Sequence, residues 1–553
     1  MDSRRLLFIA GCVALITSAF SFQVRQMISD PLAADFSLTK QSVGVVMAAA
    51  FLGMCVSMLV FSPLCDTFGM GKIMGLAWLS HLFGILCTIL AMTLSEVSVM
   101  QSMSGVVSGF ARTLFSWMPG MEFPGADNHA FWILWLGTFL IGAGNGLVEV
   151  AINPMAATLF PEEKTHYLNV LHAWWPGGLV LAGLLGVFVV DRILGTHLKN
   201  PPADAVSLSW KIKMGMMFVP LLIYGAISAT QRFPKTERVQ ANISPAVMWG
   251  QTIRPMFLIW AFCMLLTAAT ELGVNSWQES VLTRTTGVSG TLIFVYTSLL
   301  MFTLRFFAGP IAHALSPVGM LTLSATLAAG GLFWLSFADG FVTAFMSATI
   351  FGIGIAYFWP TMLGVTAERF PKGGPLVLGL MGSVGNLAIA FVLPLMGSIY
   401  DSFTVSNLPE EVAAMTFNDG KTDIPVVLVP KDLAQVKSDS ILPGDLYDFL
   451  YPAGTKKLNP ALTANLRKFH SMTPEERTEA EAVVVREGGK LTELKTLTKL
   501  DDESITKAEA QGAAYAYRRV AILPCLLIVI FGGIALLDKF RGGYKAELIT
   551  HGT

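Results

Sequence analysis

The sequence contains many runs of apolar residues, each about as long as a membrane is thick. A bilayer core needs about 20 apolar residues per helix, and in lipid only helices and closed barrels satisfy every backbone hydrogen bond. We therefore expect an all-α membrane protein. The first run follows Arg4 and Arg5, and a signal peptide is the alternative there, but the run continues to Ile28 without a small-x-small cleavage site. Twelve runs fit a span: 6–28, 42–64, 73–93, 131–160, 167–190, 211–230, 254–280, 290–313, 319–337, 341–366, 375–399 and 517–537.

Charge is concentrated in one segment of the chain. Only 14% of the 553 residues are charged, against about 25% in soluble proteins. Residues 401–515 hold 19 acidic and 13 basic residues, and hence a net charge of −6. We expect a membrane body with one polar insert, in which Thr473-Pro474-Glu475-Glu476 is typical of a helix start with a capping box. Amphipathic helices are expected in the insert, with disorder as the alternative. Nucleic-acid binding is not indicated, because basic residues do not cluster with aromatic ones.

The positions of lysine and arginine favour one orientation in the membrane. With the N-terminus inside, the inner segments hold twelve such residues, whereas the short outer loops hold mainly Arg112, Arg192, Lys199 and Arg284. Both termini are then cytoplasmic, and the insert between spans 11 and 12 faces outward. We expect a monomeric, multi-pass protein of the cell membrane, which is the inner membrane in a Gram-negative bacterium.

Two segments recur in the second half of the chain. FSPLCDTFGMGKIMGL from Phe61 parallels AGPIAHALSPVGMLTL from Ala308 at an offset of 247. IGAGNGLVEVAINPMAATLFP from Ile141 parallels FGIGIAYFWPTMLGVTAERFP from Phe351 at an offset of 210. The difference (247 − 210 = 37) locates an extra stretch where residues 94–130 fit no span. Chance matching is the alternative.

Parallel six-helix repeats are the architecture of major facilitator transporters, so we expect two pseudo-symmetric six-helix halves. The predicted division is a first half 1–230 with an extra outer loop 94–130, a central cytoplasmic loop 231–253, a second half 254–537 interrupted by the insert 401–515, and a cytoplasmic tail 538–553.

The loop after span 2 reads LCDTFGMGK and resembles the signature loop of the major facilitator superfamily. The resemblance implies a conformational switch, in which Asp66 pairs in one state and is released in the other. Gly69 allows a tight turn, and Lys72 closes the motif. Ser62 replaces the usual leading glycine and His313 stands at the place of Asp66 in the second copy, so only the first copy keeps an ionic latch. An ordinary polar loop is the alternative.

Glu149 lies near the middle of span 4, with Asn145 and Asn153 one turn away on the same face. A carboxylate at that depth costs about 2.5–3.5 kcal/mol, so it needs a partner, a water-filled cavity or a role in protonation. We expect Glu149 to exchange a proton at the substrate site; a structural hydrogen bond to either asparagine is the alternative. The repeat sets Trp359 opposite Glu149, so that one half offers charge and the other an aromatic face.

Other polar and aromatic residues within the spans are further candidates for the substrate site. Glu271 in span 7 has Asn275 and Gln278 within reach of the same face. Arg25 in span 1 could pair with an acid, contact an anionic substrate or reach outward to the headgroups. His172 in span 5 could contact substrate or be a structural histidine. The remaining candidates are Gln26, Trp175 and Tyr357, with Arg305 as a weaker one.

Glycines 142, 144 and 146 form a Gly-x-Gly-x-Gly pattern. Because no strand precedes it, the pattern indicates close helix packing and not nucleotide binding. The sequence has no HExxH, GxSxG or P-loop motif, and its six cysteines form no CxxC pair. We expect no enzyme activity, no cofactor and no metal site.

The stretch GAGNGLVEVAINP and the later HYLNVLHAWWPGG resemble spans 4 and 5 of the fucose–proton symporter family, and TELGVNSW resembles its span 7. The similarity covers the chain outside 94–130 and the insert. It implies proton-coupled sugar uptake, with Glu149 at the position of the coupling acid. That family also uses an acid in span 1, where this chain has Gln26 beside Arg25, a departure that would suit an acidic sugar or another organic anion.

The sequence thus predicts a secondary active transporter for a small polar solute, with a sugar as the first choice, working by alternating access and coupled to protons. The expected site lies between spans 1, 4, 5, 7 and 10. Two alternatives stay open. One is an organic-anion or sugar-acid transporter that uses Arg25, and the other is a transporter-derived sensor that uses the insert 401–515.

Overall fold

The computed structural model describes most of the chain. The described residues are 3–36, 38, 40–115, 124–196, 198, 202–276, 278, 282, 290–418, 423–429, 448–450, 452–453, 456–458, 462, 466, 469–470, 472–498 and 502–547.

Each predicted span corresponds to a helix. Within the described residues ten helices are long and apolar enough to cross a membrane, a pair bent by 65° makes an eleventh, and one further apolar helix is shorter. The twelve are α1 Ser3–Asp35, α2 Lys40–Phe61, α3 Met70–Ile89, α4 His129–Leu159, α5 Lys164–Leu194, α6 Ala203–Thr230, α7 Pro255–Ser276, α8 Gly290–Arg305 with Ala308–Leu315, α9 Pro317–Leu335, α10 Phe341–Arg369, α11 Gly374–Ser406 and α12 Glu503–Phe540.

Besides the bent α8, several spans depart from regular α-helix. Leu185–Val190 in α5 and Ala269–Gly273 in α7 are π-helical, and such bulges occur frequently at functional sites. In α10 the helix is interrupted between Ile355 and Phe358. These irregularities release backbone carbonyls within the bundle, and side chains can then bind them.

The packing of the helices follows the two predicted halves. In the first half α4 packs on α2 and α3, and α1 packs on α5 and α6; in the second, α9 packs on α10 and α12. The halves meet where α2 contacts α11 and where α5 contacts α8. Under a six-helix repeat α2 corresponds to α8 and α5 to α11, so these two contacts are equivalent by the pseudo-symmetry.

The backbone repeats at the turns that follow α2 and the first part of α8. Gly69 and Ser316, which are 247 residues apart, both have positive φ, at 83° and 66°. Each is the N-cap of the next helix, and the Ser316 hydroxyl accepts a hydrogen bond from the Gly319 amide at 3.1 Å. Positive φ is unfavourable for a serine, so the second copy keeps the turn conformation although it lacks the glycine.

One end of the bundle collects the two termini and the central loop. It carries residues 64–72, 160–163, 231–254 and 370–373, and we call it the basic end. Here Ser3 donates a hydrogen bond to Gln231, and in the tail the Tyr544 hydroxyl donates to Glu368 at 2.5 Å. Burial and the neighbouring Glu368 hold the pKa of Tyr544 well above its usual value.

Residues 94–130, predicted as an extra outer loop, contain an 18-residue helix, Ser98–Phe115. Its small residues Ser104, Ser108 and Ala111 are buried, and it packs against α4. That this stretch is an outer connection between spans stays a prediction, and the structure adds a helix to it. Serine, glycine and threonine lower the hydropathy of the helix Ser98–Phe115 below that of a membrane span. The helix nevertheless buries one face against a neighbouring helix.

The insert is connected to the bundle by extended helices. The helix α11 continues to Ser406 and α12 begins at Glu503, and the rings of Phe403 and Tyr515 stack at 4.5 Å between them. The described part of the insert has its own small hydrophobic core. It contains helices Glu410–Ala413, Pro474–Arg486 and Leu491–Leu497 and the antiparallel strand pairs β1 Thr416–Asn418 with β2 Asp423–Pro425 and β3 Val427–Leu428 with β4 Lys457–Leu458.

The predicted helix start in the insert is confirmed. Thr473 and Glu476 form a reciprocal capping box. The hydrogen bond from the Thr473 backbone amide to the Glu476 carboxylate, with a smaller contribution from the Thr473 hydroxyl, lowers the pKa of Glu476. The remaining short helices of the described chain are Cys65–Phe68, Ala91–Leu94, Glu237–Gln240 and Pro245–Gly250, with a 3-10 turn at Pro371–Gly373.

Candidate functional site

A cavity of about 620 Å³, counted with its mouth, lies between the two halves. Seven of the predicted site residues line it: Arg25, Asn145, Glu149, His172, Trp175, Glu271 and Trp359. The other lining residues are Phe22, Ala50, Phe51, Met54, Leu272, Arg305 and Asn386.

Glu149 lies in this cavity with neutral partners. Its side chain is only 4% exposed, and Oε2 accepts a hydrogen bond from Asn153 Nδ2 at 2.6 Å. Asn153 Oδ1 lies 3.0 Å from His172 Nε2, which is 3.7 Å from Glu149 Oε2. Because Asn153 Oδ1 can only accept, His172 carries its proton on Nε2. The structural hydrogen bond considered for Glu149 is therefore present, with Asn153 as the donor.

Glu271 is paired with a cation. Arg305 Nη2 lies 3.2 Å from Glu271 Oε1, and the two side chains are 2% and 4% exposed. The same guanidinium donates from Nε to the Ala356 carbonyl at 2.6 Å and from Nη1 to the His172 carbonyl at 2.7 Å. Arg305 thus binds a carbonyl released by the interruption of α10, and it also joins α8 of the second half to α5 of the first.

Arg25 lines the cavity with few partners. Its side chain is 6% exposed, and Nε donates to the Ser21 carbonyl of its own helix at 2.9 Å. Nη1 is buried and has no hydrogen-bond partner among the described residues. Burial of a cation without a counter-charge is costly, and among the described residues no side chain supplies one to Arg25.

Asn145 is held by a chain of hydrogen bonds from a helix outside the predicted site. The Nε2 atom of His81 in α3 is 2.9 Å from Asn145 Oδ1, and its Nδ1 atom is 3.1 Å from the Tyr224 hydroxyl. Asn145 Nδ2 in turn donates to Ser21 Oγ at 3.0 Å. The amide therefore has a fixed orientation at the cavity. Sequence reasoning missed His81, although a histidine inside an apolar span is a signal that could have indicated it.

Other predicted site residues lie outside the cavity lining. Asn153 is behind Glu149, and the Tyr357 hydroxyl donates to the Leu304 carbonyl at 2.8 Å, so that it supports the interruption of α10. Gln26, the residue after Arg25 in α1, is exposed, and Asn275 is half-buried. Gln278 is buried, and its amide has no partner among the described residues. These five residues are thus not in the lining, and their contact with substrate stays a prediction.

The predicted switch loop lies at the basic end. Asp66 accepts hydrogen bonds from Thr236 Oγ1 and Arg238 Nε, both at 2.5 Å. Arg238 belongs to the central loop and packs beside Gly374 at the start of α11. The partner of Asp66 is therefore Arg238 in the short helix Glu237–Gln240 of the central loop that joins the halves. Lys72 is exposed outside this cluster.

Further polar contacts between the halves close the basic end of the cavity. The Thr165 amide and hydroxyl of α5 donate to Glu368 Oε1 of α10 at 3.1 and 2.6 Å. Deeper along the same pair of helices, Asn169 Nδ2 donates to Thr361 Oγ1 at 3.1 Å. In the described residues no group of three or more His, Cys, Asp and Glu could hold a metal ion.

Comparison with known proteins agrees with this arrangement. A model of the Major Facilitator Superfamily matches residues 6–393. The structure is similar to a variant of the E. coli fucose:proton symporter FucP, with 15% sequence identity and a TM-score of 0.53 over 72% of this chain and 92% of that one. It is also similar to the proton:xylose symporter XylE bound to 6-bromo-6-deoxy-D-glucose, with 14% identity and a TM-score of 0.53 over 71% of this chain and 88% of that one.

At these identities the likeness to solved structures shows the fold alone. A comparison with curated protein sequences gives no match. The predicted twelve-helix architecture is confirmed by the fold, and the family match covers both halves up to α11. On these grounds the chain is a multi-pass membrane protein and belongs to the Major Facilitator Superfamily, whose members are transporters and not enzymes.

Proposed function

We propose that this protein moves a sugar or a closely related small polar solute across the membrane together with a proton, by alternating access. The observation that supports coupling is the difference between the two buried acids. Glu271 has Arg305 as a counter-charge, whereas Glu149 contacts only the neutral Asn153 and His172. An ionised carboxylate at bilayer depth costs about 2.5–3.5 kcal/mol, so Glu149 is the acid that gains most from taking up a proton.

The lining of the cavity supports a sugar as the substrate. Trp175, Trp359, Phe22 and Phe51 line it together with the amide of Asn145. Aromatic rings provide apolar contact for the C–H faces of a sugar, and amides bind its hydroxyl groups. The names of the two similar structures, a fucose:proton and a proton:xylose symporter, agree with this class.

Access to the cavity would alternate between the basic end of the bundle and the opposite end. In our proposal the basic end faces the cytoplasm, in agreement with the positive-inside rule, and the insert faces outward from the cell membrane. Opening toward the cytoplasm would break the contacts of Thr165 with Glu368 and of Asp66 with Arg238. The protein would work as a monomer, in agreement with a cavity that residues of both halves of one chain line together.

Glu149→Gln tests the coupling. The purified variant in proteoliposomes is expected to lose accumulation of substrate against its gradient when a pH gradient is imposed, since the amide cannot carry the proton. Exchange between labelled and unlabelled substrate at equal concentrations should persist. Radiolabelled L-fucose, D-xylose, D-glucose and D-glucuronate serve as probes, and a pH-sensitive dye reports proton movement.

Glu162→Gln is the matched control, because Glu162 is exposed at the basic end, and it should accumulate substrate like the unaltered protein. Undiminished pH-driven accumulation by the Glu149 variant would contradict the coupling role. Failure of the unaltered protein to move any of the four probes would contradict the sugar class.

A further inference from the structure

Arg25 is the charged group of the cavity that the proposed function leaves unexplained. Three roles are open to an arginine in this span: a pair with an acid, extension to the headgroups, or contact with an anion. Its 6% exposure is too small for a side chain that extends into the headgroups. Among the described residues it forms no ion pair, and its Nη1 is buried without a partner. Contact with an anion is the role that agrees with this geometry.

The other charged and titratable groups of the cavity are already compensated or neutral. Glu271 and Arg305 cancel each other at 3.2 Å. His172 is buried and donates from Nε2 to Asn153, and burial favours the neutral imidazole. The charge of the lining therefore depends on Arg25, which is positive, and on Glu149, which is negative or protonated.

We propose that the substrate is a sugar monocarboxylate, that Arg25 binds its carboxylate, and that it crosses with one proton on Glu149 so that no net charge moves. This inference rests on the proposed function and names the substrate class of the same site. The guanidinium has a planar pair of donors that fits a carboxylate, and Nη1 is the free donor.

Charge balance in the two moving states supports this stoichiometry. In the empty carrier Arg25 is balanced by the ionised Glu149. In the loaded carrier Glu149 is protonated and the substrate carboxylate balances Arg25. The lining has no net charge in either state. In a medium of low dielectric constant, the change of access from one side of the membrane to the other costs least free energy when the cavity is neutral. A neutral sugar with a proton would instead leave the loaded cavity with the uncompensated charge of Arg25.

The surroundings of Arg25 fit the ring of such a substrate. Phe22 lies one turn before Arg25 on the same face of α1, and its ring is 5.8 Å from that of Trp175 and 6.2 Å from that of Phe51. These rings form an apolar wall beside the guanidinium. A pyranose with a carboxylate at one end can place its C–H face on the wall and its charge on Arg25.

Selectivity is the first test. Binding to the purified full-length protein is measured by calorimetry with D-glucuronate and with D-glucose, which differ only in the carboxylate. The unaltered protein is expected to bind glucuronate at least about tenfold more tightly, the size of one charged hydrogen bond. Arg25→Gln should lose this preference, and Arg25→Lys should keep part of it. Arg192→Gln, which alters an exposed arginine outside the cavity, should leave it unchanged, and the melting temperature shows whether each variant is folded.

Electrical behaviour is the second test. In proteoliposomes a pH gradient should drive glucuronate uptake. A tenfold potassium gradient with valinomycin should change the accumulation ratio by less than twofold, whereas movement of one net charge would change it about tenfold.

Two binding results would overturn the inference: tighter binding of glucose than of glucuronate by the unaltered protein, or failure of that protein to bind either probe. A folded Arg25→Gln variant that keeps the preference for the acid would also overturn it. So would a tenfold response of the accumulation ratio to the potassium gradient. These outcomes are separate from those for the proposed function. Accumulation of glucose driven by a pH gradient would keep the proton-coupled transporter and overturn only the acidic substrate.

Discussion

At the scale of single residues, the structure separates two buried acids that look alike in the sequence. Glu149 and Glu271 both lie within apolar spans, and both line the cavity. Their surroundings differ, because α8 supplies Arg305 to Glu271 while α4 and α5 supply only neutral groups to Glu149. Glu271 therefore holds Arg305 within the second half, while Arg305 itself reaches α5 of the first half through the His172 carbonyl. Glu149, which lacks such a partner, is the acid to which our proposal assigns the change of protonation.

The pair of Glu271 and Arg305 leads to a prediction on stability. Arg305→Gln leaves Glu271 buried without a counter-charge, a change that typically costs about 3–5 kcal/mol. The double variant with Glu271→Gln removes both charges and should recover part of this loss, though not the hydrogen bonds of Arg305 to Ala356 and His172. Thermal unfolding in detergent is monitored by tryptophan fluorescence. The unfolding midpoint should be highest for the unaltered protein, lower for the double variant and lowest for the single variant. Equal midpoints for the single and double variants would show that the ion pair does not stabilise the fold.

At the scale of helices, the glycine pattern of α4 predicted close packing, and the structure confirms it. A side-chain carbon on Gly142 would collide with the Ala50 carbonyl of α2, and one on Gly146 would meet Met54 and Ser57 of the same helix. Gly144 points instead at the ring of His81 in α3. Alternate glycines thus bring α4 close to two neighbours at once, and this proximity lets His81 reach Asn145.

Gly142→Leu should disrupt this crossing. The backbone of Ala50 cannot move aside as a flexible side chain could, so α2 must shift away from α4, and overpacking of this kind typically costs about 1–3 kcal/mol. Gly75→Leu on α3 is the matched control, because a side-chain carbon there has no atom within 4 Å. The unfolding midpoint of the Gly142 variant should fall, with that of the Gly75 variant unchanged. If both midpoints fall equally, helix packing at Gly142 is not the cause.

At the scale of the whole molecule, the contacts at the basic end hold one arrangement of the two halves. Asp66 and Arg238 are 6% and 8% exposed and lie 2.5 Å apart. Thr165 and Glu368 join α5 to α10 at the same end. Thr165 and Glu368 lie in different halves, so separation of the halves at this end breaks their contact. Asp66 and Arg238 connect the first half to the central loop, and in our proposal the same opening releases this pair.

Asp66→Asn should therefore shift the protein toward the conformation that is open at the basic end. The variant loses the charge that pairs with Arg238. A loss of only about 1.4 kcal/mol of stabilisation of the closed state would change the ratio of closed to open protein tenfold. Positions 72 and 313 are both exposed and lie in opposite halves, so spin labels attached there report the opening. Double electron–electron resonance should show a longer distance between the two labels in the variant. The labels are placed in a protein from which the native cysteines have been removed. Glu162→Gln is the control. An unchanged distance distribution in a folded Asp66 variant would rule out the latch.

The sequence by itself determined the membrane class, the twelve spans, the repeat and the positions of the buried acids. The reason is that a bilayer imposes a hydrophobic length on each helix separately, so the signal is local. The same locality explains why the helix Ser98–Phe115 was missed, since it is stabilised by one face buried on α4 and not by length or hydropathy.

Only the tertiary structure decided what the polar residues contact. Arg305 pairs with Glu271 across 34 positions of sequence, His81 reaches Asn145 across 64, and Asn386 of α11 joins the lining from far along the chain. Such contacts depend on which faces of distant helices meet. The repeat related Glu149 to Trp359 across the halves, but it could not show that Arg25 has no ionic partner among the described residues and an unpaired Nη1. That feature is the one from which we infer the charge of the substrate.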